Sequence, residues 1–418
     1  MAQLSNDCFA LGAKKRMTAG EALDLLGDRL TVVVDPEAVP LRQAQSRILA
    51  EDVIAERSVP PHDNSAVDGY AVRFDDLSPV AETRLAVAGR AAAGHPFDTT
   101  LPKASAVRIF TGAKMPDGAD TVMMQEDCRA EDDAVVIPPG IEKGSNRRRA
   151  GEDVTKGAVV LGAGRRLRPQ DIGLAASIGR TTLNVYRPLR VALFSTGDEI
   201  REPGSDLPPG CVYDANRYAL MGLLEALGCR VDDLGILPDR YQTIHDELAG
   251  AADTHDAIVT SGGVSAGEED HVRAAVSALG AIHFWQLAIR PGRPLALGDV
   301  RNAAFIGLPG NPAAMMVTFL RLARPALLRL AGSREITPTT FRVRAEFSYK
   351  KKSGRREWVR CRLVPGADGE RAARKFPREG AGILTSLVES DGLVELPEDL
   401  TRLEAGTMVD FLPFSEVS

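Results

Sequence analysis

The stretch Arg190-Val191-Ala192-Leu193-Phe194-Ser195-Thr196-Gly197-Asp198-Glu199 joins a short apolar run to a small, polar, glycine-containing loop. An apolar run bounded by turn residues reads as a strand buried on both faces, the kind found in parallel sheets. Downstream, Arg230–Ile236, Ala257–Thr260, Ala281–Gln286 and Ala303–Ile306 repeat that pattern. Amphipathic stretches near Arg217–Leu227, Tyr241–Ala252, His271–Leu279 and Ala313–Leu330 are interspersed with them. Strands alternating with helices predict an α/β unit with a doubly wound parallel sheet over residues 188–333. Gly228 and Gly280 follow two of the helices and are expected to be the left-handed residues that end them.

Two more strand ends carry loops of the same kind, Ser261-Gly262-Gly263-Val264-Ser265-Ala266-Gly267 and Gly307-Leu308-Pro309-Gly310-Asn311-Pro312. Ligands of open α/β sheets bind beyond the carboxyl ends of the strands, so the three loops are predicted to meet at one crevice. Glycines there let backbone N–H groups approach an anion, and Ser195, Thr196, Ser261 and Ser265 add hydroxyls. Glycines that merely make tight strand-to-helix turns would be spelled the same way. None of the loops has Walker A spacing or opens a helix with GxGxxG, which weakens ATPase and dinucleotide-dehydrogenase readings.

Glu199, Asp214, Asp239 and Asp270 lie close to these loops in sequence. So many carboxylates at an anion site imply a bridging divalent cation, and Mg2+, which prefers oxygen ligands, is the expected one. Each is also a candidate helix N-cap or solvated charge, Asp270 ahead of the His271 helix above all. Ile289-Arg290-Pro291-Gly292-Arg293-Pro294 spells a rigid basic turn: either an oxyanion holder through its guanidinium groups or an ordinary surface turn.

Outside this unit the chain reads differently. Met17–Leu30 places Ala22, Leu23, Leu25, Leu26 and Leu30 on one helical face behind Thr18 as N-cap. From Arg57 to Ile137, short β-prone runs (Gly69–Val72, Leu85–Val87, Ala106–Phe110, Thr121–Met124) predict a mostly β unit over 58–140. Within it, the small polar residues of His62–Arg73 fit Asx turns. Gly140–Arg187 returns to glycine turns and one helix, Pro169–Gly179, with Pro169 suited to its first turn. That stretch resembles the opening segment more than its β neighbour. After Gly332, Thr340–Ser348, Glu357–Leu363 and Gly392–Leu396 are strand-like, and a small barrel or sandwich is expected over 334–418.

Bulk properties set limits on function. A chain of 418 residues should hold two to four units at about 100–200 residues each. With 57 acidic and 51 basic side chains the net charge of −6 has the wrong sign for a nucleic-acid-coating protein. Arg147-Arg148-Arg149 has no interleaved aromatic residues and reads as a solvated basic patch. Cys8, Cys128, Cys211, Cys229 and Cys361 form no CxxC pair and are expected to be reduced structural thiols. No stretch approaches the roughly 18 apolar residues of a membrane-spanning helix, so a cytoplasmic location is expected, with no membrane partner.

In order, Asp63–Arg73, Ile109–Ala113, Gly118–Val122, Arg149–Asp153, Phe194–Glu199, Ser261–Asp270 and Gly307–Pro312 resemble the motif series of the MoeA family. These are the molybdopterin molybdenumtransferases, related to the C-terminal domain of gephyrin and to a plant counterpart. The resemblance runs over nearly the whole chain. It implies a MogA-like parallel α/β molybdopterin-binding domain (188–333), an inserted mostly β domain (58–140), a discontinuous N-terminal domain (1–57 and 141–187) and a C-terminal β-barrel (334–418). It further implies a homodimer whose active site lies between the α/β domain of one subunit and the inserted domain of the other.

The implied reaction inserts molybdate into the dithiolene of adenylylated molybdopterin, releasing AMP and giving molybdenum cofactor. The resemblance makes Asp68, Thr111, Asp153, Glu199, Asp239 and Asp270 the catalytic set, with Asp239 and Asp270 on Mg2+ and Asp68 or Glu199 as proton carrier. The substrates would be held by Ser195, Thr196, Gly197, Asp214 and Asn216, by Ser261, Gly262, Gly263, Ser265 and Gly267, by Pro309, Gly310 and Pro312, and by Arg290 and Arg293. Arginine stands at 290 and 293 where the family often has lysine, which keeps charge but changes donor geometry. Val67, Arg240 and His271 also depart from the common pattern. Further implied partners are the upstream adenylyltransferase and the molybdoenzymes that accept the cofactor. Two other readings are a non-catalytic gephyrin-like scaffold or cofactor carrier, and a molybdopterin adenylyltransferase-type enzyme. The retained acids argue against the first, the unit carrying Asp68 and Thr111 against the second.

Overall fold

The structure, a computed structural model, describes residues 16–263, 271–366 and 369–417. Thr18 caps helix α1 (Ala19–Arg29): its Oγ1 accepts the Glu21 N–H at 3.1 Å, and Glu21 Oε2 accepts the Thr18 N–H at 2.8 Å. The reciprocal pair satisfies two N–H groups that a helix start leaves without partners. Ala22, Leu26 and Leu30 of the predicted stripe are fully buried, in one core with Val191, Leu193 and Leu327 of the α/β unit. Burying Leu26 contributes roughly 1.5–3 kcal/mol.

Six strands between Gly69 and Ile137 make one sheet, in the order Thr121–Met124, Gly69–Val72, Ser105–Ile109, Thr83–Ala91, Ala134–Ile137, Arg129–Glu131. Ala71 faces one core with Val107, Ile109 and Val122, whereas Tyr70 and Val72 face a second with Leu85, Met123 and Val135. This alternation is the two-residue period of a strand covered on both sides. A separate core joins Val39, Leu49 and Val53 to Leu161, Leu167 and Val185, and the strands Pro36–Pro40 and Thr182–Tyr186 pair antiparallel within it.

Helix α2 (Pro169–Ser177) starts on Pro169, as predicted, and buries Asp171. Burial alone would raise this carboxyl, but bonds from Arg168 Nε at 3.1 Å and Arg165 Nη2 at 3.0 Å override it and bring the pKa down to about 2. A depressed carboxylate pKa supplies stability that is fully present above its ordinary value of 3.8 and is lost as pH falls toward 2. Urea midpoints measured between pH 5 and 2 should therefore fall more steeply for the wild type than for Asp171→Asn; parallel curves would show that the carboxylate contributes nothing.

The α/β sheet runs Arg230–Leu237, Arg190–Thr196, Ala257–Ser261, Ala303–Leu308, Pro294–Val300, Gly280–Gln286. Its first four strands are parallel, flanked by α3 (Ala215–Ala226), α4 (Tyr241–Thr254) and α5 (His271–Leu279). Pro294–Val300 was not expected as a strand; it runs antiparallel to both neighbours and links Ala303–Leu308 to the edge strand Gly280–Gln286. Gly228 has φ of +88°, as a helix-ending glycine should. Gly280 corrects the corresponding expectation: it is the first residue of its strand, and a Cβ there would lie 2.0 Å from the Asp299 carbonyl oxygen. Close backbone approach, not a left-handed turn, requires that glycine. The last predicted helix is α6 (Pro312–Thr318), continued through a π-helical turn at Phe319–Ala323 into α7 (Arg324–Leu330).

Five C-terminal strands close into a barrel, because Arg356–Pro365 pairs with both Arg371–Lys375 and Gly392–Leu396 while Phe341–Ala345 and Met408–Pro413 complete the ring. Closure leaves no unpaired sheet edge. Ile289–Arg290 adds in parallel to Arg356–Glu357 and ties the basic turn of the α/β unit to the barrel. Among the described residues Cys128, Cys211, Cys229 and Cys361 are free, and burial pushes the Cys229 and Cys361 thiols up to about 12, keeping them protonated. No described helix is long and apolar enough to cross a membrane.

Candidate active site

Ser195, Ser261 and Leu308 stand in register at the carboxyl ends of three adjacent parallel strands, so the loops that follow share one edge of the sheet. Asn216, in the first turn of α3, ties two of them together: its Nδ2 donates to Ser261 Oγ at 2.8 Å and to the Gly310 carbonyl at 2.7 Å. Ser261 Oγ in turn donates to the Pro309 carbonyl at 3.3 Å. Gly263, at φ +62°, sits so close to Thr196 that a Cβ would meet its Cγ2 at 2.6 Å. Among the described residues, Ser195 Oγ, Thr196 Oγ1 and Asn216 Oδ1 are buried here with no hydrogen-bond partner. Each costs about 1–3 kcal/mol if left dry, so the crevice is built to receive polar groups.

Ser195, Thr196, Gly197, Asn216, Ser261, Gly262, Gly263, Pro309 and Gly310 thus come together. Pro312 opens α6, and the following N–H, of Ala313, is already donated to the Ala381 carbonyl at 2.8 Å. Glu199 is exposed and its carboxylate lies over Gly197, where a Cβ would approach Oε2 to 2.7 Å. Asp239 is exposed in the loop between Arg230–Leu237 and α4. Asp214 is engaged elsewhere: its Oδ1 caps α3 by accepting the Arg217 N–H at 3.1 Å, and its Oδ2 accepts Arg217 Nε at 3.0 Å. The Arg217 guanidinium also pairs with Asp233 and Glu202. Ser265, Gly267 and Asp270 lie outside the described residues.

A second cluster sits on the inserted β sheet. Asp68 precedes the Gly69–Val72 strand, and its Oδ1 accepts both the N–H and the hydroxyl of Thr111 at 2.8 Å each. Those bonds, with Arg108 nearby, hold the Asp68 carboxyl below the usual range despite slight desolvation, so it is ionised at neutral pH. Asp153 is exposed, and its N–H donates to the Val59 carbonyl at 3.1 Å. The Arg147–Arg148 strand pairs with Asn64–Ser65, and Arg147 meets Asp63 at 3.4 Å, so the basic patch is partly spent on the fold. Among the described residues no hydrogen bond or ion pair links the Asp68–Thr111 pair to the Ser195 and Ser261 loops within one chain.

Between the basic turn and the barrel lies a cavity of about 170 Å³. Arg290, Arg360, Lys375 and Arg378 line it against two carboxylates, Glu357 and Glu379, which leaves a formal excess of two positive charges. Arg290 is partly neutralised, with Nη1 at 3.3 Å from Glu357 and Nη2 at 3.0 Å from Glu379. Arg293 is exposed on the same turn.

Family models match in the order of the units: "MoeA N-terminal region (domain I and II)" over residues 17–179, "Probable molybdopterin binding domain" over 192–329 and "MoeA C-terminal region (domain IV)" over 342–414. The molybdopterin molybdenumtransferase of Haemophilus influenzae is 39% identical over 403 residues, which span 96% of this chain and 99% of that one. The chain belongs to the MoeA family. A Nostoc sp. molybdopterin molybdenumtransferase is 35% identical, covering 89% of this chain and 87% of its own. The crystal structure of a molybdopterin biosynthesis moeA protein from Pyrococcus horikoshii superposes with a TM-score of 0.81 at 29% identity, covering 95% of this chain and 99% of that one.

In this MoeA-family chain the sequence reading missed Arg217, Arg108 and the cavity residues Arg360, Lys375 and Arg378. Arg217 had a local signal, its three-residue spacing from Asp214 across a helix start. The cavity cations had none, because Arg360 and Lys375 on separate barrel strands and Arg378 in the loop beyond look solvated until the turn across the cavity is known.

Proposed function

We propose that this chain catalyses insertion of molybdate into adenylylated molybdopterin, with release of AMP and formation of molybdenum cofactor. Membership of the MoeA family supports an enzyme of molybdenum cofactor synthesis. The observation that carries the chemical reading is the Asp68–Thr111 pair: Thr111 occupies Oδ1 of an ionised carboxylate, and Oδ2 is left to work. Forming two Mo–S bonds from the dithiol while one oxide leaves as water moves two protons from sulfur to oxygen. A carboxylate held ionised accepts each proton from sulfur and returns it to the departing oxide.

The crevice hydroxyls Ser195 and Thr196, and Asn216 Oδ1, would hydrogen-bond the substrate's polar groups, which supplies the partners they lack. Molybdate, a tetrahedral dianion, suits the cavity of excess positive charge at Arg290 and Arg360. Mg2+ suits an exposed carboxylate such as Asp239, since it takes one or two carboxylates and completes its shell with water and phosphate oxygens. Asp239, together with Asp270, would hold it, and it would neutralise charge on the pyrophosphate. Because the two clusters lie on separate units, we further infer a homodimer in which one subunit's Asp68 faces the other's crevice. The domain limits 57/58, 140/141, 187/188 and 333/334 belong to the same reading.

The test is incubation of purified protein with adenylylated molybdopterin, Mg2+ and molybdate. AMP should appear in step with cofactor that activates a molybdenum-free molybdoenzyme. Cofactor formed without AMP, or AMP release indifferent to molybdate, overturns the proposal.

A further inference from the structure

Arg108 reaches across the inserted sheet from the Ser105–Ile109 strand, where it stands opposite Tyr70. Its Nη1 donates to the Gly69 carbonyl at 2.9 Å, and its Nη2 donates to Gln125 Oε1. The Gln125 N–H donates to the Asp68 carbonyl at 3.0 Å. One guanidinium therefore braces the backbone of Asp68 from both sides, through the next residue and through the residue that bonds its carbonyl. The same group stacks on Tyr70, 5.1 Å from the ring centroid, and on Phe110 at 4.7 Å. Phe110 is the residue before Thr111, and its ring also carries Arg90 at 4.6 Å. Arg108 thus fixes both members of the Asp68–Thr111 pair, and among the described residues its donors go to uncharged oxygens, with no carboxylate ion pair.

We propose that Arg108 is a positioning residue that holds Asp68 and Thr111 in their reactive geometry. The inference rests on the reading of Asp68 as proton carrier. Its physical basis is that a displacement of a catalytic carboxylate by about 1 Å costs up to about 100-fold in rate. A planar guanidinium spans the Gly69 carbonyl and Gln125 at once; a lysine ammonium keeps the charge but not the fork.

The test uses the full-length protein and follows AMP release from adenylylated molybdopterin with molybdate and Mg2+. Arg108→Met, which keeps apolar contact with Tyr70 and Phe110, should lower kcat about 10- to 100-fold with KM nearly unchanged, and Arg108→Lys should recover part of the loss. The acidic limb of the kcat profile should move to higher pH in Arg108→Met, since loss of a nearby positive charge and of the brace makes Asp68 easier to protonate. In an Asp68→Asn background, adding Arg108→Met should cost little more, because both changes remove one function. Full multiplication of the two losses, an unmoved pH profile, or a loss confined to KM overturns the positioning role. If Asp68→Asn itself turns over normally, the Asp68 reading fails instead, which separates the two. Should Arg108→Met not fold, the Arg108→Lys pH profile and its double variant with Asp68→Asn decide by the same criteria.

Discussion

Replacing Asp68 with Asn is expected to lower turnover by about 10²–10⁴-fold while adenylylated molybdopterin still binds. The side chains are isosteric, so Thr111 can keep donating to Oδ1 and the loop keeps its shape. The atom at the free position becomes an amide nitrogen, which cannot take a proton. Thr111 holds the wild-type carboxyl below the ordinary carboxylate range, so its basic form is the populated one. Turnover limited by this group should therefore be flat through neutral pH and fall only in acid. Equilibrium binding measured beside single-turnover AMP release separates the two effects. Near-normal turnover in the variant would remove Asp68 from the mechanism.

The largest stability effect is expected at Arg217. Its side chain is 3% exposed, as is that of Asp214, while Asp233 and Glu202 are only partly shielded. Arg217→Met would leave Asp214 as a buried carboxylate without a cation, a change that costs about 3–5 kcal/mol. Asp233 and Glu202 reach water and add less. Urea denaturation of the two proteins gives the difference directly, and a loss under about 1 kcal/mol would show the network to be dispensable. A paired Asp214→Leu change should restore much of the stability, because it removes the stranded charge. It should not restore substrate affinity, since Asp214 sets the start of α3 and thereby the position of Asn216 between the Ser261 and Gly310 loops.

Sequence alone determined the features whose physics is local. Thr18 and Glu21 spell a capping box within four residues, and Pro169 marks a helix start by its missing N–H. The apolar runs ending at Ser195 and Ser261 are buried strands because nothing but a sheet covered on both faces accommodates them, and their glycine-rich ends meet because parallel strands place their carboxyl ends on one edge. The motif series was likewise readable, since family identity resides in residue order.

Tertiary structure decided whatever depends on a neighbour far away in the chain. Gly280 is spelled like a helix end, yet the Asp299 carbonyl across the sheet is what excludes a side chain there. Pro294–Val300 begins with proline and looks like the tail of a turn, and only its two antiparallel neighbours make it a strand. Arg371-Ala372-Ala373-Arg374-Lys375 carries too many charges to read as a strand, but barrel closure supplies the hydrogen bonds and buries Ala372 and Ala373. Asp214 and Asp68 are both acids in polar loops, and sequence shows a cation three residues from the first but not which oxygen of either is engaged. One folds against a buried guanidinium and is spent on stability, while the other meets a threonine that occupies a single oxygen. A carboxylate's chemistry is set by what stands within about 4 Å of it, and that distance is a property of the fold.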